Sequence, residues 1–328
     1  MKTMWAVLLQ LGNNVWTKPD DLSPHPVEEE EAYHTYVYSD RETWRKITEY
    51  LPSHGINTVV IDIGESLKFD SHPELALPGS WEKQEFKEEL KRLRNLGLTP
   101  IPKCNFSTSH NAWMQEYGDM VGTELYTTVC EDIVREVIEV FDKPEFFHLG
   151  LNDENSEYQK YYPVKIVRTW GQKMEDAVRL FNICLEQGVR PWIWADFKTV
   201  EEFGGEERFC KYIPKEVLVS NRTKSLVVHI DGEEEAPQTK QYRKLAEWGY
   251  EQVATCRRWD FFLNEKMTMR YCKEQVPEGS VIGFMTAPWL PIRPEHYEGI
   301  LFTVDMLYHA KQFFFPEEVE GKEENNER

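Results

Sequence analysis

Two adjacent carboxylates, Asp153 and Glu154, close the stretch FFHLGLNDEN at residues 146–155, with His148 inside its apolar run and Asn152 just ahead of the pair. Paired carboxyl groups are what cleavage of a glycosidic bond requires. One must be a carboxylic acid able to protonate the leaving oxygen, and a second group must stabilise an oxocarbenium-like centre. A carboxyl held at a water-poor rim beside aromatic rings is expected to have its pKa raised by desolvation. The plainer reading is that the pair caps the next helix or faces water. His148, lying within the run, reads as a group that orients its neighbours.

Other stretches supply compatible side chains. PWIWADF puts Trp192 and Trp194 on one face of a strand, with Asp196 just beyond. Trp192 suits a core position, and Trp194 beside Asp196 suits a sugar platform. TAPWLP mounts Trp289 between prolines, and NFSTSHNAW brings Asn105 and His110 after another apolar run. Asp62 ends a further run. Carboxylates, amides and aromatics together suit a sugar, whose hydroxyls need polar partners and whose C–H faces stack on rings. No cluster has metal-ligand spacing and no GxSxG is present, so neither a metal nor a cofactor is expected.

To bring these residues together the chain needs a scaffold. Apolar runs recur near residues 5–11, 58–63, 99–104, 146–150, 191–194, 217–219, 252–255 and 281–285, separated by helical patterns. Most are continuous rather than alternating, as for strands buried on both faces. Ser39 with Glu42 reads as a capping box, Ser80 as a second helix start, and residues 125–141 and 167–187 as two longer helices. Eight strands, each followed by a helix or long connection, predict an α/β (βα)8 TIM barrel of one domain over residues 1–315. No Gly-rich phosphate loop supports the open-sheet alternative. In such a barrel the site lies beyond the C-terminal strand ends, which adds Asn13, Asn14, Glu65, Asn221, Arg257, Trp259 and Asp260 to the rim. Residues 316–328 read as a charged, disordered tail, and Glu28–Glu31 and residues 231–240 as solvated loops.

With 328 residues, 41% of them hydrophobic, the chain can bury a barrel-sized core. A net charge of −19 disfavours nucleic acid and anionic membrane as partners. Six scattered cysteines read as free thiols in a reducing, cytoplasmic setting. The first apolar run reads as a buried strand rather than an export signal. Oligomeric state is not encoded in any pattern.

The ordered set SHPELALPGSW, GLTPIPKCNFSTSHNAW, FFHLGLNDEN and RPWIWADF resembles the catalytic barrel of glycoside hydrolase family 20, the β-N-acetylhexosaminidases. The resemblance runs over most of the chain. It implies hydrolysis of a terminal β-linked, N-acetylated hexosamine, in which the substrate's acetamido group is the nucleophile. The family signature is His-x-Gly-Gly-Asp-Glu. Counted from His148, its Asp falls on Asn152 and its Glu on Asp153. With one inserted residue the pair becomes Asp153 and Glu154, which keeps the machinery intact and makes Glu154 the expected acid with Asp153 as its partner. The first register implies altered specificity, or a carbohydrate-binding barrel that has lost catalysis. The family's substrate-binding Arg after the first strand is replaced by GNNVW.

Overall fold

The computed structural model describes residues 3–18, 28–160, 162, 164–222, 236–257 and 263–320. Trp259, Asp260 and residues 231–235 lie outside the described residues, and 237–240, expected as part of a solvated loop, begin a helix. Eight parallel strands close in sequence order. They are β1 (Met4–Gln10), β2 (Thr58–Asp62), β3 (Thr99–Lys103), β4 (Phe146–His148), β5 (Arg190–Trp194), β6 (Leu218–Ser220), β7 (Gln252–Arg257) and β8 (Val281–Ala287). Around them run α1 (Arg41–Tyr50), α2 (Lys83–Asn95), α3 (Glu124–Val140), α4 (Trp170–Glu186), α5 (Phe197–Glu202), α6 (Glu206–Tyr212), α7 (Pro237–Glu247), α8 (Asn264–Gln275) and α9 (Tyr297–Phe314). This is the (βα)8 TIM barrel expected from the runs. A last short helix, α10 (Glu317–Glu320), occupies part of the expected tail. Its Glu318 accepts hydrogen bonds from Trp5 Nε1 at 2.6 Å and Thr3 Oγ1 at 2.5 Å.

Strand alternation sorts the core into two parts. One parity, including Leu8, Val60, Ile101, Phe146, Trp192 and Val253, fills the barrel. The other parity, such as Val7, Val59 and Ile193, packs outward with the helix faces of Trp44, Phe86 and Leu90. Both faces are buried, which explains the continuous apolar runs.

Two prolines thin one seam of the sheet. Lys103 O accepts from Ile63 N at 2.9 Å on the β2 side, whereas Cys104 N donates to His148 O at 3.1 Å on the β4 side. Alternation then turns Pro100 and Pro102 toward β4, where each lacks an N–H to give. The β3–β4 ladder accordingly reduces to the pair Lys103 and His148.

Two helix starts differ from expectation. Asp40, not Ser39, caps α1 by accepting from Thr43 N at 2.7 Å. Ser80 lies ahead of α2 and bonds to Glu65 O and Leu77 O, both at 2.8 Å, while Glu82 takes the N-cap position without a side-chain cap. Among the described residues no helix is long and apolar enough to cross a membrane.

Candidate functional site

The inward parity of the strands changes character at the C-terminal end. Leu8 is followed two residues later by Gln10, Val60 by Asp62, and Ile101 by Lys103 and Asn105. Leu218 is followed by Ser220 and Arg222. The polar members Gln10, Asp62, Lys103, Asn105 and Arg222 all line a cavity of about 310 Å³ at this mouth. Loop residues His110, Asn152, Asp153 and Trp289 line it as well. Of the expected site residues, Asp62, Asn105, His110, Asn152, Asp153 and Trp289 thus meet in one place.

Four do not reach it. His148 is fully buried below the floor, where its Nδ1 accepts from Gly150 N at 3.1 Å and its ring lies 4.7 Å from that of Trp194. Burial pushes its pKa well down, so it is a neutral packing and turn-fixing group. Trp194 has the right parity but sits one layer too deep. Its ring is covered by Trp289 at 6.0 Å and by the Arg222 guanidinium at 4.9 Å. Asp196 caps α5, accepting from Thr199 N at 3.2 Å, and spends its other oxygen on Arg222 Nε at 2.8 Å.

The fourth is Glu154. It turns away from the mouth and pairs with the buried Arg168, with Nε to Oε2 at 3.0 Å and a second, shorter contact from Nη2. Thr108 N donates to it as well, at 3.2 Å. Burial would raise its pKa, but Arg168, Lys173 and these hydrogen bonds outweigh it and hold the carboxyl below the usual range. Glu154 is thus paired with Arg168 and is not among the residues that line the mouth, where the expectation had placed it. It acts instead as a strut at the start of the loop over residues 155–169. Gln159 ties that loop by a two-way bond to Ile166, both at 2.7 Å. From it Glu157, Tyr158 and Lys160 reach the cavity wall.

Backbone conformation explains which carboxylate faces inward. Gly150, Leu151 and Asp153 all have positive φ, at 71°, 63° and 57°. Leu151 stands where the signature's second glycine falls when counting from His148, and it keeps the left-handed backbone that glycine favours. These turns break the strand alternation, so Asn152 and Asp153 both line the cavity and Glu154 does not. Asn152 Oδ1 accepts from Asn105 Nδ2 at 3.2 Å. Asp153 Oδ2 accepts from Asn152 Nδ2 and Arg222 Nη2, both at 2.5 Å. Burial works to raise the Asp153 carboxyl, but the Arg222 charge and these bonds prevail and hold it at about 2. Asp153 is therefore not the desolvation-raised acid that was expected, because Arg222, two residues past β6, compensates its burial.

Elsewhere in the mouth, Asp62 pairs with Lys103 through a short contact. Burial raises its carboxyl, with Lys103 opposing. Burial pushes His110 down to about 4 despite nearby Asp153, leaving it neutral. Trp289 holds φ at 53°, a strained setting for an aromatic residue. Glu65 supports the β1 loop from behind, accepting from Asn13 N at 2.8 Å and Asn14 N at 3.3 Å. Asn14 in turn bonds His34 in both directions, at 2.8 and 2.9 Å. That link helps bring Glu31, expected to be solvated, to the cavity wall. Among the described residues, no group of three His, Cys, Asp or Glu is placed to hold a metal.

Sequence reading missed Gln10, Lys103 and Arg222, although counting by two from Leu8, Ile101 and Leu218 finds all three. No comparable signal marks Glu31, Glu157, Tyr158 or Lys160, because their placement depends on loop ties.

The closed barrel is similar in fold to solved family 20 glycoside hydrolases. Three solved structures illustrate the likeness. A catalytic module of the pneumococcal exo-β-D-N-acetylglucosaminidase StrH superposes with a TM-score of 0.62 at 15% identity, covering 95% of this chain and 84% of that one. Dispersin B gives 0.57 at 9% identity, over 94% and 99%. A family 20 exo-β-N-acetylglucosaminidase from Vibrio harveyi gives 0.60 at 10% identity, over 97% and 58%. No protein-family model and no curated protein matches the sequence.

Proposed function

We propose that this barrel is a glycoside hydrolase that takes a terminal β-linked, N-acetylated hexosamine into the mouth and works through Asp153. The observation that carries this reading is the convergence of Asp153, Asn152, Asn105, His110 and Trp289 on one cavity. The hexosaminidase fold of the neighbours supports the substrate class. Trp289 offers a ring to the sugar face, and Asn152 an amide to its acetamido group. In the substrate-assisted scheme the acetamido oxygen attacks the anomeric carbon, so one carboxyl near the leaving oxygen suffices to deliver a proton. Asp153 is ionised at rest. Its protonated fraction grows about tenfold for each unit of pH decrease above its pKa, so turnover of a poor leaving group rises toward acid.

A panel of aryl β-glycosides led by the N-acetylglucosaminide and N-acetylgalactosaminide tests this. Asp153→Asn is expected to lose at least 100-fold in kcat/KM. Glu154→Gln leaves Arg168 short of its partner and costs roughly 3 kcal/mol of stability, yet it retains turnover at temperatures where it stays folded. Equal loss at both positions would sink the assignment to Asp153.

A second reading is that the barrel binds such sugars without cleaving them. The pairing of Asp153 with Arg222 favours it, since a clamped carboxylate is a poor acid. Saturable sugar binding by calorimetry, with no release of any aglycone from folded protein, would decide for it.

A further inference from the structure

Resting on Asp153 as the working carboxylate, we propose that Arg222 is the positioning residue that holds Asp153 ionised, and that Asp196 limits this effect by sharing the same guanidinium. Arg222 leaves β6 with its Nη2 on Asp153 and its Nε 2.8 Å from Asp196 Oδ2. Its side chain is only about one-tenth exposed, and the planar group lies over Trp194. Asp196 cannot swing aside without uncapping α5, because Thr199 N and Oγ1 both bond its other oxygen. The guanidinium is thus fixed between two anions.

Asp153 is 6% exposed, so its charge survives only if something offsets the loss of water. The charged groups around it come from several elements. His110, from the loop after β3, is neutral, and Lys103 is already paired with Asp62. Glu154, the next residue, points to Arg168. Glu31, Glu157 and Lys160 also line the cavity. Arg222 is therefore the one cation among the described residues with an ion pair to Asp153. Both of its donors fall on Oδ2, and Oδ1 accepts no hydrogen bond from a described residue. That leaves Oδ1 as the oxygen offered to the cavity, with Arg222 deciding its charge.

Carbon-13 NMR of aspartate carboxyls tests the clamp without any substrate, the Asp153 signal being assigned by its absence in Asp153→Asn. In the wild type, Asp153 is expected not to titrate between about pH 4.5 and 7. Arg222→Met should bring its midpoint into that window, raising the protonated fraction near pH 5 at least tenfold. Arg222→Lys should restore much of the ionisation. Asp196→Asn, which leaves Arg222 undivided, should not raise the midpoint at all. A folded Arg222→Met in which Asp153 stays untitrated overturns the proposal. So does a rise in Asp196→Asn, a variant that serves even if Arg222→Met does not fold. If the titrations behave as expected and no glycoside is turned over, the clamp stands and the hydrolase reading fails instead.

Discussion

Buried carboxylates in this protein are governed by what each is given in exchange for water, and Glu65 shows the case where the exchange falls short. It receives backbone N–H groups from Asn13 and Asn14 but no ion pair from a described residue. Burial lifts its carboxyl to about 7, from 4.5 in the unfolded chain. A folded-state pKa raised in this way gives stability that is full below the unfolded value and lost as pH rises through the folded one. Between about pH 4.5 and 7 the wild type should therefore lose up to roughly 3 kcal/mol relative to Glu65→Gln. Urea denaturation at a series of pH values measures the difference, and parallel curves for the two proteins would refute it. Asp153 and Glu154 behave oppositely: arginines hold both low, so their contribution is full above the unfolded carboxylate values and is lost as pH falls through the lowered ones.

Among the elements, the end of β4 concentrates the geometric demand. A Cβ on Gly150 would fall 2.1 Å from Asn105 Oδ1 and 2.4 Å from its Cγ, at a φ of +71°. Asn105 Oδ1 also accepts from Leu151 N and Ser107 N, and its amide holds Asn152. Gly150→Ala should therefore push Asn105 aside, cost about 2–4 kcal/mol, and weaken sugar binding at least tenfold. Gly188→Ala is the matched control, because its φ is similar at +75° and nothing lies within 4 Å of its Cβ. It should cost only about 1 kcal/mol and leave binding unchanged. Calorimetric titration and thermal melts of both variants check the contrast. The proline-thinned β3–β4 seam lies beneath the same loops. In this reading few ladder bonds and many side-chain bonds hold that side of the mouth.

For the whole molecule, closure is the decisive event, and β8 meets β1 with little room. Gly283 pairs with Met4 beside the register shift between Gln252 and Val253. A Cβ there would lie 2.5 Å from both Met4 O and Met4 Cβ, which are backbone-fixed positions. Gly283→Ala should force the β1–β8 seam apart and lower the melting temperature by roughly 2–4 °C. Gly279→Ala, in open space, should shift it far less. Equal melting of the two variants would mean that the seam yields freely. Closure also sets the site, since the mouth takes residues from β1, β2 and β3 and from the loops after β1, β3, β4, β6 and β8.

By itself the sequence determined the barrel, because eight doubly buried strands leave a mark in every apolar run and the helices between the first five strands show an apolar stripe. It also determined most of the mouth's chemistry, since residues just past strand ends stand at the rim of any closed barrel. Strand parity, a local property, would also have found Lys103 and Arg222, which the sequence reading missed. Only the tertiary structure shows that Asp153 lines the cavity while Glu154 does not. Left-handed turns at Leu151 and Asp153 end the alternation that sequence counting relies on. The partners that fix the two charges, Arg222 and Arg168, lie far along the chain in one case and across a loop in the other. Burial and an opposing charge act at distances of a few ångströms, and no pattern along the chain encodes which charge folding will bring that close.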